Sequence, residues 1–427
     1  MLCQVQTTIK NKTGPIMKKL KITGGITVLL IAVCGSIYQQ EARQLYNTVR
    51  LFDADVIVHN FSHMKDMAPT VTIKRAGEVQ ALGNTPKALP THFAYKGEMR
   101  EMQSFLEASS TTALVVVKDK DITFEDYYQG TKALDQRISW SMAKSFLSAI
   151  FGVAVEEGYI KDLNAPVTDY VPSLVGSGYD GVSIKNVLQM SSGVYFNEDY
   201  GDFNSDINRF GRIMALGGSF DDFAASLTSE REQGTFMHYV SIDTHVIGMV
   251  LRAATGKSIS EYFNEKLWSK LGTEQDAIYI TDSTGEPMVL GGLNLISRDY
   301  ARMGLLYRDK GKINGQQVIP EKWIEDSITP DAPHLIPGKR DTAKTNFGYG
   351  YQWWLPENTE QEFLALGIYG QYIYIDRKNN VVIVKNSADR GFMDNDYESK
   401  DLAIAAFRAI SKSLIEQPAS EQTAAAQ

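Results

Sequence analysis

Apolar and polar positions alternate in two stretches of this 427-residue chain and recur with a helical period in several others. The alternating stretches are "TTALVVVKDKDITFEDYYQG" (111–130) and "QYIYIDRKNNVVIVKNS" (371–387). Each sets β-branched and aromatic residues on both sides of a polar turn, Lys118–Asp121 in the first and Lys378–Asn380 in the second, and predicts a β-hairpin. Helical spacing marks 98–109, 183–194 (a short helix and a Gly turn), 239–256, 258–272, 297–311, 319–328 and 399–414. Ser258 and Glu261 have the spacing of a capping box. An unbroken apolar run follows "SWSMAKSF" (139–146), which predicts a helix from near Ser141 to near Gly158. Residues 195–235 read as a loop-rich acidic segment, with Glu198, Asp199, Asp202 and Asp206 close together. The order is hairpin, helices, hairpin, helix. It predicts an α/β fold of the α+β kind, an antiparallel sheet flanked by helices with a helical insert between roughly 165 and 290.

The N-terminus follows another pattern. Lys18, Lys19 and Lys21 precede an uncharged, mostly apolar run from Ile22 to Tyr38. That is the short end of a membrane-spanning helix and also the plan of an export signal. Basic residues ahead of the run keep the N-terminus cytoplasmic. The expectation is a cytoplasmic segment at 1–21, a transmembrane anchor or signal at 22–38, a connector and N-terminal extension at 39–94, a folded domain at 95–412 and a disordered polar tail at 413–427. A retained anchor is favoured, because small-x-small cleavage sites are poor here and Val33 is too large for a lipoprotein site at Cys34. The protein would then sit in the cytoplasmic membrane, single-pass, with its body exported to the periplasmic side; a cleaved signal would make it secreted. Met17 offers a second start.

Charge and composition narrow the chemistry. The chain carries 43 basic and 51 acidic residues, a formal charge of −8, and no basic cluster, which argues against nucleic acid as a partner. Both cysteines, Cys3 and Cys34, precede residue 40, so the body has no disulfide framework and no thiolate metal site. The six histidines lack metal-ligand spacing. No metal and no cofactor are expected.

A lysine stands out within the apolar run. Ser141 and Lys144 lie one turn apart on one face if the helix starts near Ser141. Met142, Ala143, Phe146, Leu147 and Ile150 would desolvate the lysine and lower its pKa. A neutral amine can take the serine proton and create a nucleophile, and the Ser141 N–H at a helix start can help hold an oxyanion. Ser-x-x-Lys by itself also arises by chance in chains of this length. Two other stretches have plain structural readings: "TGKS" (255–258) is a helix end followed by a cap, since the glycine of a phosphate loop is Leu251, and Ser192 in "SSG" is read as a cap.

The stretches "SMAKSF", "VLQMSSGV", "YVSIDTHVIG", "GGLNLISRDYARMGLLYRDKGKINGQQVIPEKWI" with "YGYQWW", and "GIYGQYIYID" strengthen one another by their order and spacing. Over about residues 95–412 the chain resembles the class C β-lactamase and esterase superfamily of serine hydrolases, in the branch of the 6-aminohexanoate-dimer (nylon-oligomer) hydrolases. The resemblance implies a serine β-lactamase/DD-peptidase-like fold and a serine hydrolase acting through an acyl-enzyme on Ser141. Lys144 would be its base and Tyr239, of the Tyr-x-Asn element, its proton relay. It places the oxyanion hole at the backbone N–H groups of Ser141 and Ile368, and substrate contacts at Ser241, Tyr200, Tyr369 and Gln371. Two departures matter. Ser241 replaces the usual asparagine, and Gly367-Ile-Tyr-Gly370 replaces the usual Lys-Thr-Gly, which leaves no cation there for a substrate carboxylate. Lys344-Thr345-Asn346 comes too early in the chain and reads as a loop. The expected substrate is therefore a small-molecule ester or linear amide, with the acidic loop suited to an amine. A β-lactamase or DD-peptidase is the first alternative, and a non-catalytic membrane-anchored binding or sensor domain the second.

Overall fold

A computed structural model describes residues 45–357 and 361–415. Residues 1–44, with the apolar run at 22–38 and the segment expected to be cytoplasmic, and most of the polar tail lie outside the described residues. Among the described residues no helix is long and apolar enough to cross a membrane.

An eight-stranded sheet forms the frame. Its order is Gly348–Tyr349, Trp354–Leu355, Glu362–Gly367, Gln371–Asp376, Val381–Ser387, Thr111–Lys118, Asp121–Tyr127 and Gly83–Asn84. Every pairing is antiparallel except that of Gly83–Asn84, which runs parallel to Asp121–Tyr127. The two predicted hairpins are its centre, joined in register through Val384 opposite Val115 and Ile383 opposite Val116. Period-2 alternation sends Leu114, Val116, Tyr372, Tyr374 and Ile383 to one face, against Phe105, Ala403, Ile404, Phe407 and Ile410. Val115, Val117, Ile373, Val382 and Val384 face the opposite way, into the main core with Phe146, Ile150, Met303 and Leu306. Both faces are covered, so these strands are buried along their length.

The helix after "SWSMAKSF" opens as a 3₁₀ turn, Trp140–Met142, and becomes α-helical at Ala143–Glu156. Every residue from Ala143 to Ala154 is buried, as expected of a helix that is apolar all round. A second, four-stranded antiparallel sheet joins Thr70–Ile73, Ala277–Ile280, Leu293–Leu295 and Arg137–Ile138. Its Arg137–Ile138 strand leads directly into Trp140. The N-terminal extension buries Leu51, Ile57, Phe61, Met64 and Met67 in the main core.

The helix boundaries differ from the pattern in several places. Residues 98–101 do not start a helix; they pair with His92–Tyr95 through a turn in which Lys96 and Gly97 both have positive φ, and the helix covers Met102–Ala108. The segment 195–235 holds two helices, Asp206–Leu216 and Phe220–Ala225, each started by a serine whose hydroxyl accepts from the N3 amide. The last helix begins at Asp394, five residues before its expected start at 399. The cap reading of 255–258 agrees with the geometry, since Gly256 is left-handed and Ser258 and Glu261 form a reciprocal capping box.

Candidate active site

Ser141 sits on the 3₁₀ turn at the floor of a cavity of about 890 Å³. Two elements are built around it. The strand Glu362–Gly367 runs up to the turn so closely that a Cβ at Gly367 would lie 2.5 Å from the Ser139 carbonyl oxygen and 3.1 Å from the Ser141 nitrogen. Only glycine fits there, and the next residue, Ile368, lines the cavity. On the other side the chain before the Ser241–Thr255 helix presents Tyr239, fixed where the His238 N–H donates to the Met190 carbonyl at 2.9 Å. The Tyr239 ring stacks on Trp354 at 5.2 Å, and Ser141 and Ser241 both act on its phenol.

Lys144 is 1% exposed. Its Nζ donates to the Leu290 carbonyl at 2.8 Å and to Ser241 Oγ at 3.3 Å, and lies 5.4 Å from the centre of the Tyr239 ring. The hydrogen bond to Ser141 that the one-turn spacing suggests is not among these contacts. Burial lowers the lysine pKa to about 7, against the opposing pull of Glu198 and Asp243. A neutral amine has two N–H groups and one lone pair. With both N–H groups given to Leu290 and Ser241, the lone pair is left for a proton.

Glu198 completes this arrangement, and the sequence placed it only in an acidic loop. Its carboxylate accepts from the Ser241 N–H at 3.1 Å, from the Ser241 hydroxyl at 2.6 Å and from the Tyr200 hydroxyl at 2.5 Å. Ser241 Oγ donates to Glu198 and therefore accepts from Lys144, which fixes the direction of the chain. Burial pushes the Glu198 carboxyl upward, opposed by Lys144 and these donors. Behind it Asp243, fully buried, accepts from the Tyr179 hydroxyl at 2.7 Å and is raised well above the usual carboxylate range by burial. Ser192 is no helix cap; it is buried, and its hydroxyl accepts from the Val194 N–H at 3.3 Å. Burial likewise raises the Tyr239 phenol.

Three expectations need correction. Gln371 does not reach the cavity: it is buried, with Nε2 on the Ser387 and Tyr369 carbonyls and Oε1 accepting from Asn386 and the Ser387 N–H, so it straps the turn that carries Ile368. Tyr369 turns into an aromatic cluster rather than the cavity. Ser241 is 1% exposed, faces Lys144 and Glu198, and is not among the residues that line the cavity. The cavity also has cations. Gly367–Gln371 supplies none, but Lys344, with Thr345 and Asn346, lines the wall, as do Lys400 and Arg408. Tyr200 lines the cavity, with its hydroxyl on Glu198. Of the acidic loop, Asp199 also reaches it, whereas Asp206 pairs with Arg209. Among the described residues no cluster of histidine, cysteine and carboxylate side chains could hold a metal.

Comparison with known proteins gives the same direction. The Beta-lactamase family model matches residues 102–406. A 6-aminohexanoate-dimer hydrolase of Paenarthrobacter ureafaciens is 29% identical over 337 residues, which span 77% of this chain and 84% of that protein. A Bacillus anthracis structure described as a candidate 6-aminohexanoate-dimer hydrolase superposes with a TM-score of 0.77 at 25% identity, covering 86% of this chain and 97% of that one. A penicillin-binding protein of Bacillus halodurans shares the fold at a TM-score of 0.53 and 15% identity, over 71% of this chain and 99% of the other.

Proposed function

The chain belongs to the beta-lactamase family and is a serine hydrolase, and from that premise we propose that it cleaves a small linear amide or ester through an acyl-enzyme on Ser141. The observation that carries this reading is the buried, weakly basic Lys144, both of whose N–H groups are engaged one turn from a serine at a cavity floor.

Lys144 takes the Ser141 proton as Oγ attacks the carbonyl carbon. The carbonyl oxygen becomes an oxyanion that the N–H groups of Ser141 and Ile368 receive. Tyr239, which lines the same cavity as Ser141, passes a proton to the leaving amine or alcohol, and the C–N or C–O bond breaks. Water then attacks the acyl-enzyme, with the same groups acting in reverse. Glu198 holds Ser241, and through it Lys144, in place; it fills the role left by the missing asparagine. No cofactor enters these steps.

The cavity wall favours a charged linear substrate. Lys344 and Lys400 offer cations for a carboxylate, and Asp199 and Glu230 offer anions for an amine. The cations also support a second reading, a β-lactam or D-Ala-D-Ala peptide as substrate, because both carry a carboxylate. A panel of p-nitrophenyl esters, linear amide dimers and nitrocefin separates the two. We expect turnover of the linear compounds at least ~100-fold above nitrocefin; the reverse order would establish the second reading. By the charge order of the N-terminus, we also propose that the catalytic body faces the exported side of the cytoplasmic membrane.

A further inference from the structure

The two backbone N–H groups assigned to the oxyanion hole each lie beside a bulky residue in left-handed backbone. Trp140, just before Ser141, has φ +42°, and Tyr369, just after Ile368, has φ +60°. Large aromatic residues rarely adopt this conformation, and they persist in it only when their surroundings over-determine it. Here the surroundings are aromatic, and the N-terminal extension supplies part of them.

Phe52 stacks on Tyr369, with centroids 5.1 Å apart and planes 10° from parallel, and lies 5.8 Å from Trp140. Phe61 meets both rings edge-on, at 5.3 Å from Tyr369 and 5.5 Å from Trp140, and its carbonyl accepts from the Ile138 N–H at 3.0 Å. Phe392 closes the cluster on Tyr369 at 4.7 Å and touches Tyr200 at 5.9 Å. The extension thus grips both sides of the oxyanion hole at once. Core packing does not require Phe52 there: it is 39% exposed, while its neighbour Leu51 is 2% exposed.

We propose that Phe52 is a positioning residue for hydrolysis: its ring clamps Trp140 and Tyr369 together and so sets the spacing of the Ser141 and Ile368 N–H groups. The proposal rests on the reading of Ser141 as nucleophile. It also makes the extension that follows the N-terminal apolar run a working part of the catalytic domain.

The test uses the full chain with Phe52→Ala, Phe52→Leu, Phe52→Tyr and Leu51→Ala. Steady-state kinetics on a p-nitrophenyl ester are measured beside the rate of phosphonate inactivation, whose phosphoryl oxygen enters the same hole. Phe52→Ala and the bulk-preserving Phe52→Leu should lower kcat about 10- to 100-fold, with KM within about twofold, and slow inactivation in parallel. Phe52→Tyr keeps the stack and should restore both. Leu51→Ala should lower Tm and leave kcat near wild type. A wild-type kcat in Phe52→Leu, an equal kcat loss in Leu51→Ala, or no rescue by Phe52→Tyr would overturn the proposal. If the nucleophile were wrong, the wild type itself would take no phosphonate on Ser141, a failure visible before any change at position 52.

Discussion

Lys144 carries a pH dependence that follows from its surroundings. Burial lowers its pKa to about 7, and only the neutral amine can accept the Ser141 proton. The acylation rate should therefore rise with pH through about 7 and level off above it, measured as single-turnover release of p-nitrophenol. A rate that is flat between about pH 5 and 9 would remove Lys144 as the base. Glu198 attracts the protonated lysine and so raises its pKa. Glu198→Gln removes that charge, and the acid limb should move to lower pH by on the order of one unit. An unchanged or upward limb would mean that Glu198 acts on something else. Ser141, Lys144 and Tyr239 could be found from sequence because two of them are one turn apart and the third lies in a stretch resembling a known one. Glu198 and Lys344 could not, because only the folded chain brings the 195–206 and 339–347 segments to Ser141. The replacement of asparagine by Ser241 was the available signal: a shorter side chain next to a buried lysine leaves room for another acceptor.

The strand Glu362–Gly367 and the 3₁₀ turn Trp140–Met142 meet at a contact that tolerates no side chain. Gly367→Ala would push a methyl group against the Ser139 carbonyl and the Ser141 amide. The expected cost is about 1–3 kcal/mol of stability in denaturant melts. The expected loss of kcat is about 100-fold or more, since the displaced backbone carries the proposed oxyanion donors. Wild-type kinetics in Gly367→Ala would show that the two elements are not held as described. The two central hairpins were legible because their alternation is strong and their turns polar. The Asp206–Leu216 helix was missed because Gly211, the Gly217–Gly218 pair and four nearby acids read as a loop, whereas its start is set by one Ser205 cap. The false helix start at 98 has the opposite cause: Glu98–Glu101 favour a helix by composition, but the left-handed Lys96–Gly97 turn closes a hairpin there.

At the scale of the whole molecule, a sheet covered on both faces carries the site at one edge of its core. The C-terminal helix Asp394–Ser413 packs Phe407 on Tyr372 and Tyr374, at 5.4 and 5.5 Å between centroids, while Ile404 of the same helix lines the cavity. Phe407→Ala should cost about 3–5 kcal/mol in denaturant melts, while the folded fraction still takes phosphonate on Ser141. A loss below about 1 kcal/mol would mean that this helix contributes little to the core. The order of hairpins and helices was enough to reach an antiparallel sheet flanked by helices. The four-stranded second sheet was not legible, because its strands are short and come from three distant parts of the chain.

The central claim is that Ser141 is the nucleophile. Full-length wild type and Ser141→Ala should be treated with an activated phosphonate and their peptides mapped by mass spectrometry. The account predicts one adduct per chain, on Ser141, with hydrolysis lost in step with labelling, and neither labelling nor turnover in Ser141→Ala. Equal labelling of the two proteins, or an adduct on another serine of the wild type, would contradict it.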